Sequence, residues 1–108
     1  MVRHIVVWNY REGFSKEQNI ENAREIKNDL ENLINVIDGI VSIKVEIEPL
    51  PSSSADIILN SLFESAQALS NYQIHSAHKL IAEFVKTVTQ NRMCIDYEEG
   101  GICDDKGM

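Results

Sequence analysis

"VRHIVVWNY", residues 2–10, is the stretch on which the fold turns. Val2, Ile5, Val6 and Val7, with Trp8 and Tyr10, predict a β-strand carrying little polarity on either face. Such a strand belongs in the middle of a sheet, with cover above and below. The rest of the chain has to supply that cover.

Downstream, "REGFS" (residues 11–15) turns the chain at Gly13, and Ser15 with Gln18 three residues on forms a capping-box pattern. Ile20, Ala23, Ile26, Leu30, Leu33 and Ile37 follow at steps of three and four, one apolar stripe on a helix that Gly39 ends. In "IVSIKVEIE" (residues 40–48), Val41, Ile43, Val45 and Ile47 alternate with Ser42, Lys44, Glu46 and Glu48, which predicts a strand with one dry face. "PLPSSS" (residues 49–54) is a loop by composition. "ADIILNSLF" (residues 55–63) is a further strand with apolar residues on both faces. Residues 65–70 read as a short helical turn. Residues 76–90 form a longer helix, with Ala77, Ile81, Phe84, Val85 and Val88 on its inner stripe. "RMCIDYE" (residues 92–98) is a last alternating strand, Met93, Ile95 and Tyr97 against Cys94, Asp96 and Glu98. Residues 1–99 make one domain, and residues 100–108 are expected to be a flexible C-terminal tail.

The order βαββαβ predicts an α+β, ferredoxin-like fold: a four-stranded antiparallel sheet with both helices on one face. The first and third strands, apolar on both sides, take the centre. The second and fourth alternate and take the edges, giving the order 4-1-3-2. Helices then cover only one face, while Ile5, Val7, Ile58 and Leu62 point from the other. Leaving them in water would forfeit about 1.5–3 kcal/mol each and expose an apolar patch. A second copy packed sheet to sheet removes that loss, so a homodimer is expected.

Composition narrows the function. At 108 residues, 44% hydrophobic and 25% charged, the chain is a single globular domain with room for a core. Its net charge of −7 and scattered Lys and Arg argue against nucleic acid as a partner and against an anionic membrane surface. Two cysteines, Cys94 and Cys103, fit a reducing compartment, and the first residues lack the pattern of a signal peptide. A cytoplasmic protein is the expectation.

"YQIHSAH", residues 72–78, concentrates proton-handling groups at the entrance of the last helix. Tyr72 precedes His78 by six residues, and His4 shares the parity of Val6 and Trp8 on the first strand. If that parity faces the helices, His4 looks toward Tyr72 and His78. A neutral histidine, with a pKa near about 6.5, can take a proton from a carbon acid. A tyrosine hydroxyl can hydrogen-bond a developing oxyanion. Each residue also has a plainer reading: His75 as a helix cap, His78 and His4 as histidines satisfied by neighbouring groups, and Tyr72 as core. His75 and His78 lack a neighbouring carboxylate or cysteine that would complete a metal set, so no metal and no cofactor is expected. Cys94 reads as packing, outward on an edge strand or at the dimer seam.

The segments "RHIVVWNYREGFSKEQ", "DGIVSIKV", "YQIHSAH" and "EFVKTVTQNRMCIDYE" together resemble the stress-responsive A/B barrel, or Dabb, proteins, a family of dimeric α+β barrels. The resemblance runs from Met1 to about Glu98 and implies ferredoxin-like protomers paired through their sheets. One branch, similar to plant polyketide cyclases of the olivetolic acid cyclase type, closes a polyketide by aldol chemistry without a cofactor. By that resemblance Tyr72 and His78 are the catalytic pair, with His4 and His75 also matching the pattern; His4, Trp8, Ile57 and His75 are the expected substrate-binding positions. The chain departs from the cyclase pattern in having Ile57 where a cavity histidine stands, and Ser76 where a proline is usual. The expectation is therefore a homodimeric barrel that binds a small organic molecule between sheet and helices and can act as a cofactor-free lyase, cyclase or isomerase. The alternatives are a non-catalytic stress-responsive or accessory dimer with structural histidines and, by fold analogy alone, a cofactor-independent monooxygenase.

Overall fold

The computed structural model describes residues 1–100. The remainder of the expected tail, with Cys103, lies outside the described residues. In chain order the elements are β1 (Val2–Tyr10), α1 (Lys16–Asn32) continued by a 3-10 turn (Leu33–Asn35), β2 (Ile40–Glu46), β3 (Ile57–Phe63), α2 (Ala66–Ile74), α3 (Ser76–Val88) and β4 (Thr89–Glu98). The sheet runs β2-β3-β1-β4, with every neighbouring pair antiparallel. This is the α+β, ferredoxin-like arrangement expected from the polarity of the strands.

β1 divides its residues as its composition demands. Val2, His4, Val6 and Trp8 are buried beneath the helices, while Ile5 and Val7 on the opposite face are half-buried. β3 repeats the pattern with Ile57, Leu59, Ser61 and Phe63 inside. α1 starts at the predicted capping box, Ser15 and Gln18 each bonding the other's backbone, and buries Ala23, Ile26 and Leu30. Leu33 and Ile37 carry the stripe into the turn beyond, which Gly39 closes at φ +92°. Ala68 on α2 sits against Gly39 so closely that a Cβ there would lie 2.7 Å from the alanine methyl.

Three local expectations are corrected. α2 reaches Ile74, not Ser70, so Tyr72 is helical. In β2, Val41 is exposed rather than inward, because the register slips one residue between Ile40 and Ser42 and Ile40 takes the buried place. In β4, Cys94 stands opposite Val6 and Asp96 opposite His4, so both face the helical side. Met93, Ile95 and Tyr97 therefore project from the uncovered side, where they are exposed. Alternation fixes the period of a strand but not which phase of it is inward.

β4 also carries a bulge. Val7 pairs with Met93 and Asn9 with Gln90, so Asn91 and Arg92 together oppose Trp8. Asn91 takes up the extra residue at φ +58°, a left-handed conformation that asparagine tolerates.

Candidate functional site

The space between β1, α2 and α3 is a cavity of about 400 Å³, within the range of about 300–1,000 Å³ usual for small-molecule sites. Its walls include Val6, Trp8, Leu30, Leu59 and Val85, with His4, Tyr72 and His78 supplying polar groups and Gln73, Lys86 and Arg92 also at its lining.

One residue positions the central pair. His75 ends α2 and begins α3: its N–H donates to the Tyr72 carbonyl at 3.2 Å, and its Nδ1 accepts from the Ala77 N–H at 3.1 Å. The single-residue corner places Tyr72, in the last turn of α2, against His78, in the first turn of α3. Their ring centroids are 4.4 Å apart. Phe63 packs against Tyr72 from the sheet at 4.8 Å, and His4 meets Tyr72 edge-on at 6.2 Å.

The polar atoms are unevenly satisfied. His4 is 2% exposed, and its Nδ1 lies 2.5 Å from Asp96 Oδ1. In the neutral ring Nδ1–H donates to the carboxylate, which leaves Nε2 as the acceptor. Tyr72 is fully buried, yet its hydroxyl has no hydrogen-bond partner among the described residues, and neither has the buried Nδ1 of His78. Buried polar groups are nearly always paired with protein or water, so both atoms on this cavity wall are open to a polar partner. Burial raises the Tyr72 pKa well above the usual phenol value, with the Arg92 charge opposing, so the hydroxyl remains a proton donor. Burial lowers the His78 pKa; the nearby Gln73 backbone opposes this, and the His4 and Arg92 charges reinforce it. His78 is therefore neutral at pH 7 and able to accept a proton.

Of the residues singled out in the sequence, His4, Trp8, Tyr72 and His78 line the same cavity. Ile57, fully buried opposite Trp8, does not reach the lining, and His75 is occupied as the cap between the two helices. Sequence reasoning passed over Gln73, Ala82, Lys86, Arg92 and Asp96. A helical period of His78, Ala82, Val85 and Lys86 was available as a signal for one wall. Arg92 shares the phase of Cys94 and Asp96 along β4, a phase fixed only by the register with β1. His4 Nδ1, Cys94 Sγ and a carboxylate oxygen of Asp96 lie within 4.8 Å of one another, a mixed donor set of types that zinc accepts. Internal contacts already engage these atoms: Cys94 Sγ is 3.4 Å from Asp96 Oδ2, and the other carboxylate oxygen holds His4.

The profile of the stress-responsive A/B barrel domain matches residues 2–99. The chain belongs to the Dabb family. A dimeric protein of unknown function and ferredoxin-like fold from Bacteroides fragilis is similar to it at 27% identity, with a TM-score of 0.84 over 90% of this chain and 94% of that one. A protein from Arabidopsis thaliana is similar at 24% identity and TM-score 0.76, over 95% of this chain and 99% of the other. The hydroxynitrile lyase of Passiflora edulis shares the fold at 19% identity and TM-score 0.74, over 94% and 96% of the two chains. No curated protein sequence matches the chain significantly. Among the described residues no helix is long and apolar enough to cross a membrane.

Proposed function

We propose that this Dabb protein is a homodimer whose protomers each bind a small organic carbonyl compound in the cavity and move a proton on it. His78 is the base, Tyr72 donates a hydrogen bond to the developing enolate or alkoxide oxygen, and His4, held by Asp96, positions the ligand. The observation that carries this reading is the pair of unpartnered atoms, Tyr72 Oη and His78 Nδ1, on one cavity wall. Proton transfer of this kind needs a base with its pKa near or below the working pH and a donor that stays protonated; the two shifts run in those directions. The Passiflora lyase, alike in fold, is consistent with lyase chemistry on this architecture.

Tyr72→Phe is the decisive variant. Burying an unpaired hydroxyl costs about 1–3 kcal/mol, so its removal leaves thermal stability unchanged or raised. The same change is expected to abolish α-proton exchange of 4-phenylbutan-2-one in deuterated buffer, followed by NMR, as is His78→Ala. A fall in the melting midpoint of Tyr72→Phe would show that the hydroxyl is a structural partner. Wild-type protein that binds ketones without exchanging their protons would support the non-catalytic alternative.

A further inference from the structure

The cavity is apolar within and cationic in part of its lining, in a chain of net charge −7. Lys86 and Arg92 are its only charged lining residues of fixed sign, both positive, and both exposed. The ion pairs among the described residues join Arg3 to Glu99, Lys27 to Glu31, Lys44 to Glu46, the N-terminus to Glu98 and His4 to Asp96. Neither Lys86 nor Arg92 takes part in one.

Their placement follows from the fold. Lys86 lies on the α3 face that carries His78 and Ala82, two turns beyond the histidine. Arg92 shares the strand phase of Cys94 and Asp96 and so faces the helical side of β4, and its charge reaches Tyr72, His78 and Cys94.

Resting on the reading of the cavity as a ligand site, we infer that its ligand is an amphipathic carboxylic acid, its carboxylate held by Arg92 and Lys86 and its apolar body packed against Trp8, Val6, Leu30 and Leu59. A guanidinium fork matches a carboxylate with two parallel hydrogen bonds, and a neighbouring ammonium adds charge without demanding geometry. A phosphate ester is the poorer fit, because no glycine lines the cavity to offer backbone N–H groups at close approach. With the carboxylate anchored there, the reacting carbon lies further along the ligand, toward Tyr72 and His78. Substrate selection and proton transfer are thus divided between two sets of residues.

Trp8 is the chain's single tryptophan and lines the cavity, so its fluorescence reports occupancy directly. Titrating 4-butylbenzoate and 4-butylbenzamide, alike in shape and different in charge, is expected to show the acid binding at least about tenfold more tightly, the scale of one charge-assisted hydrogen bond. In Arg92→Gln/Lys86→Gln the preference should vanish while the amide affinity stays the same. Both positions are exposed, and circular dichroism melting checks that the variant is folded. Equal binding of acid and amide by the wild type would overturn the carboxylate assignment while leaving the cavity as a ligand site. An acid preference that survives in the double variant would overturn the assignment to these two residues. No binding of either compound would count against both the assignment and the cavity reading.

Discussion

His78 shows what burial does to a single titratable group. Its pKa is held below the ordinary histidine value chiefly by loss of solvent, with the His4 and Arg92 charges adding to the effect. The unfolded chain takes up a proton at this residue near about pH 6.5, whereas the folded one does so only at lower pH. Between those two values the unfolded state holds more protons, so stability rises with pH across that window. The contribution is complete above about pH 6.5 and is lost as pH falls toward the folded pKa. Urea midpoints of the wild type measured from about pH 5 to about pH 7 should therefore climb more steeply than those of His78→Gln. Parallel curves would mean that the ring is solvated in the folded state. The Tyr72–His78 pair was visible in the sequence because both residues flank one helix start; the orphaned state of their polar atoms is a property of packing that no spacing encodes.

At the level of elements, close approach matters more than propensity at one point. Gly39 combines φ +92° with a missing Cβ that would stand 2.7 Å from the Ala68 Cβ, whereas Gly13, at φ +103°, has nothing within 4 Å. Gly13→Ala therefore carries only the backbone cost of a left-handed residue, about 1–3 kcal/mol, and Gly39→Ala adds an overpacking cost of similar size. Denaturant unfolding of the two variants separates these effects; equal losses would show that α2 moves freely away from Gly39. Much of the element order was legible in the sequence because its signals are local: the capping box at Ser15, the stripe from Ile20 to Ile37, the two-sided apolarity of β1. Three features were not, for the common reason that pairing decides them. The slip at Val41 and the bulge at Asn91 arise only when two strands are laid side by side. The inward sense of Cys94 and Asp96 needs the register with β1. Arg92 escaped notice for the same reason, although it stands at the cavity.

For the whole molecule, the uncovered face of the sheet is the surface that a second copy would cover. Ile5 and Val7 of β1 stand beside Ile95 and Met93 of β4 on one side and Asn60 and Ile58 of β3 on the other, with Leu62 and Tyr97 continuing the surface. Met93, Ile95 and Tyr97 are each about half-exposed in the isolated protomer, at 61%, 48% and 47%. The correction to β4 thus enlarges the apolar surface that parity in β1 and β3 already implied. On β2 the same face carries Ser42, Lys44 and Glu46, so the apolar area is displaced toward the β1–β4 side. The Bacteroides fragilis protein similar to the chain is dimeric, and a second protomer offers a matching surface under two-fold symmetry. Sedimentation velocity at micromolar concentration should find a dimer, with a melting midpoint that rises with protein concentration. A charge at the centre of this face would be left unpaired in an apolar contact between two copies. Ile95→Asp is accordingly expected to sediment as a single subunit. Leu80→Asp serves as the comparison: Leu80 is 74% exposed on α3, away from the sheet, and its replacement should leave the dimer intact. A wild-type protein that stays monomeric would mean that some other cover satisfies Ile5, Val7 and Ile95. The same result for both variants would place the contact elsewhere on the molecule.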